Sequence, residues 1–240
     1  MPDHLFRKII DEIAAWPTHP NSICPFLTNE PFADARIFQF CKMINQKLPN
    51  TQLIFYTNGS LFSDRAIESL RNIYNIQVIN ISLHHTNAAA YEAELGIPFD
   101  KTLASIDRLL VAQRARPIAK EITLLKVGNS DPIEDNAFVV FCAQRFPGIK
   151  PMPVPRWNWR GEIRSKMDYE PYLDQICPRA FSMCILATGK VSLCCMDANG
   201  KYCQGDINEQ SLLEVFNGPY RAHRQENKRN FASCDTCNMH

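Results

Sequence analysis

The chain has 240 residues, 45% of them apolar, and 26 Lys and Arg against 25 Asp and Glu give a net charge of +1. That balance excludes the charge excess of a nucleic-acid or anionic-membrane binder, and the length suits one large domain with a small one beside it. No apolar run reaches the roughly 18 residues of a membrane span, and Met1 to Ile13 lacks the basic start and unbroken apolar run of a secretory signal, so a cytoplasmic protein with reduced thiols is expected rather than a disulfide framework.

Helical and strand patterns alternate along the chain. Leu5, Ile9, Ile10 and Ile13 form a helical stripe, and Ile23 to Leu27 reads as a short apolar strand. Asp34 is expected to cap a helix striped by Ile37, Cys41, Ile44 and Leu48, followed by a strand over Leu53 to Tyr56. Ser63 caps a helix carrying Ile67, Leu70 and Ile73, and Val78 to Leu83 is a strand. Asp100 opens a helix with Leu103, Ile106, Leu109 and Leu110; Ile122 to Val127 is a strand, Pro132 to Phe146 a helix, and Met152 to Val154 lies in a Pro-rich final strand. This βα repetition predicts a parallel sheet covered by helices. At about 150 residues it makes a partial barrel or open sheet, since a full eightfold barrel takes ~250.

In such folds the working site lies at the carboxyl ends of the strands. Five polar clusters fall there: Thr28-Asn29-Glu30-Pro31, Tyr56-Thr57-Asn58-Gly59, Ser82-Leu83-His84-His85, Lys126, and Arg156-Trp157-Asn158-Trp159. Any one of them reads equally well as an ordinary polar loop. Five at one sheet edge point to a small-molecule pocket. Glu30 is the sharpest, because a carboxylate directly after a buried strand can accept hydrogen bonds from a ligand ammonium group. His84 and His85 read as acid–base groups, metal ligands or hydrogen-bonded structure. Arg156 to Gly161 is a candidate for substrate contact, with aromatic packing the expectation for Trp157 and Trp159.

Seven of the 10 cysteines, Cys177, Cys184, Cys194, Cys195, Cys203, Cys234 and Cys237, fall in the last part of the chain. Cys234-x2-Cys237 is a strong metal signal, because two intervening residues let both sulfurs face one ion or cluster corner. Cys177-x11-Gly189-x4-Cys194 offers two further ligands from a hairpin, with Gly189 free to take the positive φ of a tight turn between Cys184 to Ala187 and Val191 to Leu193. Four thiolates suit zinc or an iron–sulfur cluster equally, and ligand counting does not choose. A domain boundary is expected in Arg164 to Glu170, a short helix capped by Ser211 up to Asn217, and a basic helical face formed by Arg221, Arg224, Lys228 and Arg229.

Met1 to Leu61, through Phe26-Leu-Thr-Asn-Glu-Pro-Phe-Ala-Asp34, Arg36-Ile-Phe38 and Tyr56-Thr-Asn-Gly-Ser-Leu61, resembles the radical S-adenosylmethionine (SAM) enzymes. The tail, with the cysteine pattern above, Gly205-Asp-Ile-Asn208 and Ser211-Leu-Leu-Glu-Val-Phe216, resembles their SPASM or twitch extension. The resemblance implies an α/β fold: a parallel βα partial barrel over residues 1–165, incomplete by its first strand, then a small cysteine-rich SPASM/twitch domain over 170–240. It implies that Glu30, beside Asn29, contacts the amino group of SAM, that Thr57, Asn58, Ser82 and His84 lie near its ribose or carboxylate, and that Cys177, Cys194, Cys234 and Cys237 hold one auxiliary [4Fe-4S] cluster, with zinc as the alternative. Members cleave SAM to a radical that abstracts hydrogen from a peptide, protein or small metabolite, and a reductant protein is the expected partner.

One departure stands out. The family's Cys-x3-Cys-x2-Cys motif, which binds the SAM-cleaving cluster, is absent from these residues. The expectation is therefore an amino-terminally truncated radical SAM enzyme that cannot cleave SAM alone. The alternatives are a non-catalytic iron–sulfur electron-transfer or partner-binding module, and a zinc-binding structural domain.

Overall fold

The computed structural model describes residues 1–128, 131–163, 177–218, 234 and 237. The chain divides into two compact units, His19–Arg156 and a second that joins Met1–Thr18 to Trp157–His240. Helix α1 (Asp3–Ala14), whose stripe Leu5, Phe6, Ile9 and Ile10 is buried, belongs to the second.

The first unit is a parallel sheet whose strands lie side by side in chain order: β1 (Ser22–Ile23), β2 (Gln52–Thr57), β3 (Ile76–Ser82), β4 (Glu121–Gly128) and β5 (Lys150–Pro155). Helices return the chain between them: α2 (Ile37–Lys47), α3 (Asp64–Arg71), α4 (Ala88–Leu95) with α5 (Phe99–Ala115), and α6 (Pro132–Arg145). This is the expected incomplete parallel βα architecture. The register puts Phe55, Ile79 and Ile122 in one row and Thr57, Ile81 and Leu124 in the next, all on one face. That face lies under α5, for a Cβ placed on Gly59 would meet both Ile81 and Ile106. Tyr56, Asn80, Thr123 and Ser82 occupy the opposite face. There the Thr123 hydroxyl donates to Asn80 Oδ1 at 2.7 Å, so a buried amide inside the sheet keeps a partner.

Caps follow the expected chemistry in most places. Ser63 Oγ accepts from Ala66 N–H to start α3, and Asp131 Oδ1 accepts from Ile133 and Glu134 N–H at α6. Three readings change. The strand expected over Ile23 to Leu27 is confined to Ser22–Ile23, because Pro25 has no N–H to give a ladder. Asp34 does not cap α2, which starts at Ile37 after Arg36; its carboxylate grips the Arg36 guanidinium at 2.7 and 3.0 Å, which holds its pKa below the usual value. Helix α4 was not anticipated, because its residues form no stripe and only Tyr91 is buried.

In the second unit β6 (Cys184–Ile185), β7 (Lys190–Ser192) and β8 (Cys203–Asp206) make an antiparallel sheet in chain order. Gly189, with φ of 95°, turns the expected hairpin. Helix α7 (Leu212–Asn217) carries a complete capping box between Ser211 and Glu214. Lys8 of α1 donates to the carbonyls of Ile207 and Gln210, Leu212 N–H donates to Glu12 Oε2 at 2.6 Å, and Trp16 packs against Phe216 at 5.4 Å between centroids. The expected boundary at Arg164 to Glu170 and the basic face of Arg221, Arg224, Lys228 and Arg229 lie outside the described residues. Among the described residues no helix is long and apolar enough to cross a membrane.

Candidate functional site

Glu30 lies in the connection from β1 to α2, where it caps the short turn Pro31–Ala33, and the Phe32 ring packs on Phe55 and Phe62 at 5.4 and 5.3 Å. That aromatic anchor fixes the backbone beneath the carboxylate. Oε1 accepts from Phe32 N–H at 3.2 Å and from the Thr57 hydroxyl at 2.7 Å, and Oε2 accepts from Asn58 N–H at 2.7 Å. An ionised carboxylate has about four acceptor positions, so a position on Oε2 stays open to a cationic donor. Thr57 is 3% exposed and on the helix-covered face; it therefore orients Glu30. Asn58 Oδ1 accepts from Ser60 N–H and Oγ, and Asn29 is exposed beside the carboxylate.

At the end of β3, Ser82 lies on the face opposite Thr57, and His84 takes a left-handed backbone with φ of 58°. Its Nδ1 accepts from Val127 N–H at 3.0 Å, so the neutral ring carries its proton on Nε2. Burial lowers the His84 pKa, partly offset by Glu94. Glu94 of α4 receives both His85 Nε2 and, at 3.7 Å, Arg156 from the end of β5. Lys126, also at a strand end, faces α6 and is held by Asp135 at 2.7 Å and Glu134 at 3.5 Å. Glu30, Thr57 and Asn58 are thus one bonded group, and His85, Glu94 and Arg156 a second, whose charges reach the nearby His84. A groove lined by Ile67, Arg71, Arg108 and Val111 between α3 and α5 shares no residue with either.

In the tail, Cys177, Cys194, Cys234 and Cys237 are all half-buried. Cys237 N–H donates to Cys234 O at 3.1 Å, closing the turn of the Cys-x2-Cys pair. Cys194 lies near enough to Cys234 for their charges to interact; burial, the larger effect, pushes its pKa up to about 12. Cys184 and Cys195 form a second pair, in which their mutual hydrogen bond raises the pKa of Cys184 and lowers that of Cys195. Among the described residues no group of three or more His, Cys, Asp or Glu side chains is arranged to hold a metal ion.

Residues 177–238 match the family model for SPASM, an iron-sulfur cluster-binding domain. No curated protein matches the chain. Among solved structures, BtrN in complex with AdoMet and 2-DOIA aligns over 99% of this chain and 80% of that one, at 15% identity and a TM-score of 0.65. Streptococcus suis SuiB bound to the precursor peptide SuiA aligns over 99% and 63%, at 15% identity and 0.69. Native anSMEcpe with bound AdoMet aligns over 99% and 79%, at 11% identity and 0.69. The tail carries a SPASM domain, and the chain shares the fold of these three structures.

Sequence reasoning passed over a charged pair within this SPASM unit. Arg160 and Asp197 are 5% and 3% exposed at their side chains and 3.4 Å apart. The Arg160 guanidinium also lies 4.0 Å from the centroid of the Tyr202 ring. Trp159 and Arg160 have φ of 48° and 63°, a left-handed region that costs a non-glycine residue about 1–3 kcal/mol and persists only where the surroundings demand it. The one available signal was Gly161, which continues the left-handed turn at 86°.

Proposed function

We propose that the SPASM domain binds one [4Fe-4S] cluster through Cys177, Cys194, Cys234 and Cys237, and that the βα unit binds S-adenosylmethionine at its carboxyl edge. Glu30 receives the ligand ammonium group at the open position of Oε2, with Thr57 holding the carboxylate in place. Asn29 flanks Glu30 at the ammonium group, and Asn58, Ser82 and His84 lie on the ribose and carboxylate side. The observation that carries the reading is the bonded group of Glu30, Thr57 and Asn58 at the strand ends of a chain that also carries a SPASM domain.

The donor chemistry of the tail fits the cluster. Cys234 and Cys237 share one closed turn, Cys194 approaches Cys234, and an arginine lies close to Cys194 to favour its thiolate. A bound cluster would supply one-electron transfer, and the half-buried Cys177, Cys194, Cys234 and Cys237 would hold it. Since no Cys-x3-Cys-x2-Cys occurs among these residues, the SAM-cleaving cluster is held elsewhere, and this chain contributes the SAM pocket and the auxiliary centre to an enzyme acting on a peptide or small molecule. Solved neighbours carry both substrate kinds, a peptide in SuiB and 2-DOIA in BtrN. A cytoplasmic location and a reductant protein complete the reading. The same missing motif favours a second reading, an iron–sulfur electron carrier without SAM chemistry.

Metal and sulfide analysis of the anaerobically reconstituted chain, with paramagnetic resonance and SAM binding by calorimetry, separates these readings. The first expects about four irons per chain and SAM binding that Glu30→Ala weakens by at least tenfold, a loss of roughly 1.4 kcal/mol. Four irons without SAM binding support the electron carrier. Zinc without iron discards both.

A further inference from the structure

The turn that carries Cys194 is built around one carboxylate. Asp197 N–H donates to Cys194 O at 3.0 Å, while the Asp197 side chain accepts from the N–H groups of Lys201 and Tyr202 at 3.0 Å each and from Leu193 at 3.4 Å. Arg160 reaches this carboxylate from the segment after β5, with its guanidinium bracketed between Asp197 and the face of Tyr202. Asn158 Oδ1 accepts Arg160 N–H at 3.1 Å and holds the left-handed turn. Burying such a pair costs desolvation that its attraction barely repays, so stability alone is a weak reason for it.

We propose that Arg160, clamped by Asp197, positions the Cys194 turn and sets the reduction potential of the SPASM iron–sulfur centre by fixing a buried cation beside one of its thiolates. The inference rests on the reading that Cys194 is a cluster ligand. Each added electron makes a thiolate-bound cluster more negative, and a nearby cation in a poorly solvated site favours that reduced form. Asp197 is the natural counterweight: its charge is shared among three backbone N–H groups, whereas Arg160 favours the Cys194 thiolate directly. Arginine suits the role because its charge does not titrate and its plane stacks on Tyr202.

The test is a redox titration followed by paramagnetic resonance, with iron content, on the full reconstituted chain and on Arg160→Gln, Arg160→Lys and Asp197→Asn. Arg160→Gln is expected to keep its iron and lower the midpoint, Arg160→Lys to restore most of the shift, and Asp197→Asn to raise it. Opposite signs for the two charge removals are a signature that loosened packing does not produce. Unchanged midpoints, or shifts in the same direction, overturn the proposal. If Arg160→Gln alone loses iron, the sign of the Asp197→Asn shift decides. Loss of iron from both Arg160 variants marks the residue as merely structural and also overturns it. A wild-type chain that takes up no iron sinks the cluster assignment itself, a failure distinct from an iron-loaded wild type with unresponsive variants.

Discussion

Cysteine serves two purposes in the two units. In the βα unit Cys41 and Cys142 are 0% exposed among apolar side chains, and burial pushes both thiols up to about 12; they act as small hydrophobic filler. In the SPASM unit Cys203 is exposed and the other cysteines sit half-buried on turns and strand ends, Cys184, Cys194 and Cys195 of them near Arg160 or Arg179. The difference follows from what else each unit has to hold it. Strands of six to eight residues such as β2, β3 and β4 supply rows of buried Leu, Phe and Ile. Strands of two to four residues such as β6, β7 and β8 cannot, and order there leans on capped turns, a buried ion pair and sulfur.

The sharpest way to break this contrast is Cys234→Ala. If Cys234 holds iron as proposed, its loss is expected to abolish iron binding and to strip amide-exchange protection from β6, β7 and β8 while β2, β3 and β4 keep theirs; loss of protection in both units would mean that sulfur organises the whole chain. Next comes Phe55→Ala in the βα core. Emptying a fully buried aromatic site costs about 3–5 kcal/mol, read as a lower urea midpoint, with iron content unchanged. A smaller effect is expected from Cys41→Ser, which buries a hydroxyl in a thiol's place for roughly 1–3 kcal/mol, again at full iron loading. Alkylation of the native protein should modify exposed Cys24 and Cys203 and leave Cys41 and Cys142 untouched until denaturant is added; early labelling of Cys142 would remove its place as filler.

The smallest effect is one of pH. Burial holds the folded His84 below its ordinary value of 6.5, so the unfolded chain binds that proton more readily. Its contribution is therefore complete above pH 6.5 and is lost as pH falls toward the lowered folded value. His84→Asn, which tolerates the left-handed backbone, should flatten the slope of thermal stability on the acid side. An unaltered slope would assign the acid sensitivity to other groups.

What could be read from residues alone follows the same divide. The runs Leu53 to Tyr56, Val78 to Leu83 and Ile122 to Val127 announce strands because their helix-covered positions, Phe55, Ile79, Ile81, Ile122 and Leu124, are all large and apolar and the intervening ones are mostly β-formers. Helix α4 escaped because Ala88, Ala89 and Ala90 make no stripe, although Asn87 at its start and Gly96 in a left-handed turn at its end were legible caps. Strand β8, Cys203-Gln-Gly-Asp206, has no strand-like composition; it exists because β7 offers an edge. Cys234-x2-Cys237 and Gly189 were visible as local chemistry. The Thr57 bond to Glu30 and the Arg160 pair with Asp197 were not, since each joins residues far apart in sequence and a charged loop residue looks solvated until its partner is known.

Helix α1 gives the order of synthesis a meaning. Its apolar stripe emerges from the ribosome before the βα unit, yet the partners that receive Lys8, Glu12 and Trp16 are Ile207, Gln210, Leu212 and Phe216. Lys8, Glu12 and Trp16 therefore wait for these partners while the entire βα unit is translated, a window in which chaperone capture or aggregation competes with folding. Slow translation just before the SPASM segment would lengthen that window, and a ribosome stalled there would hold a finished sheet and a helix still without its α7 partners.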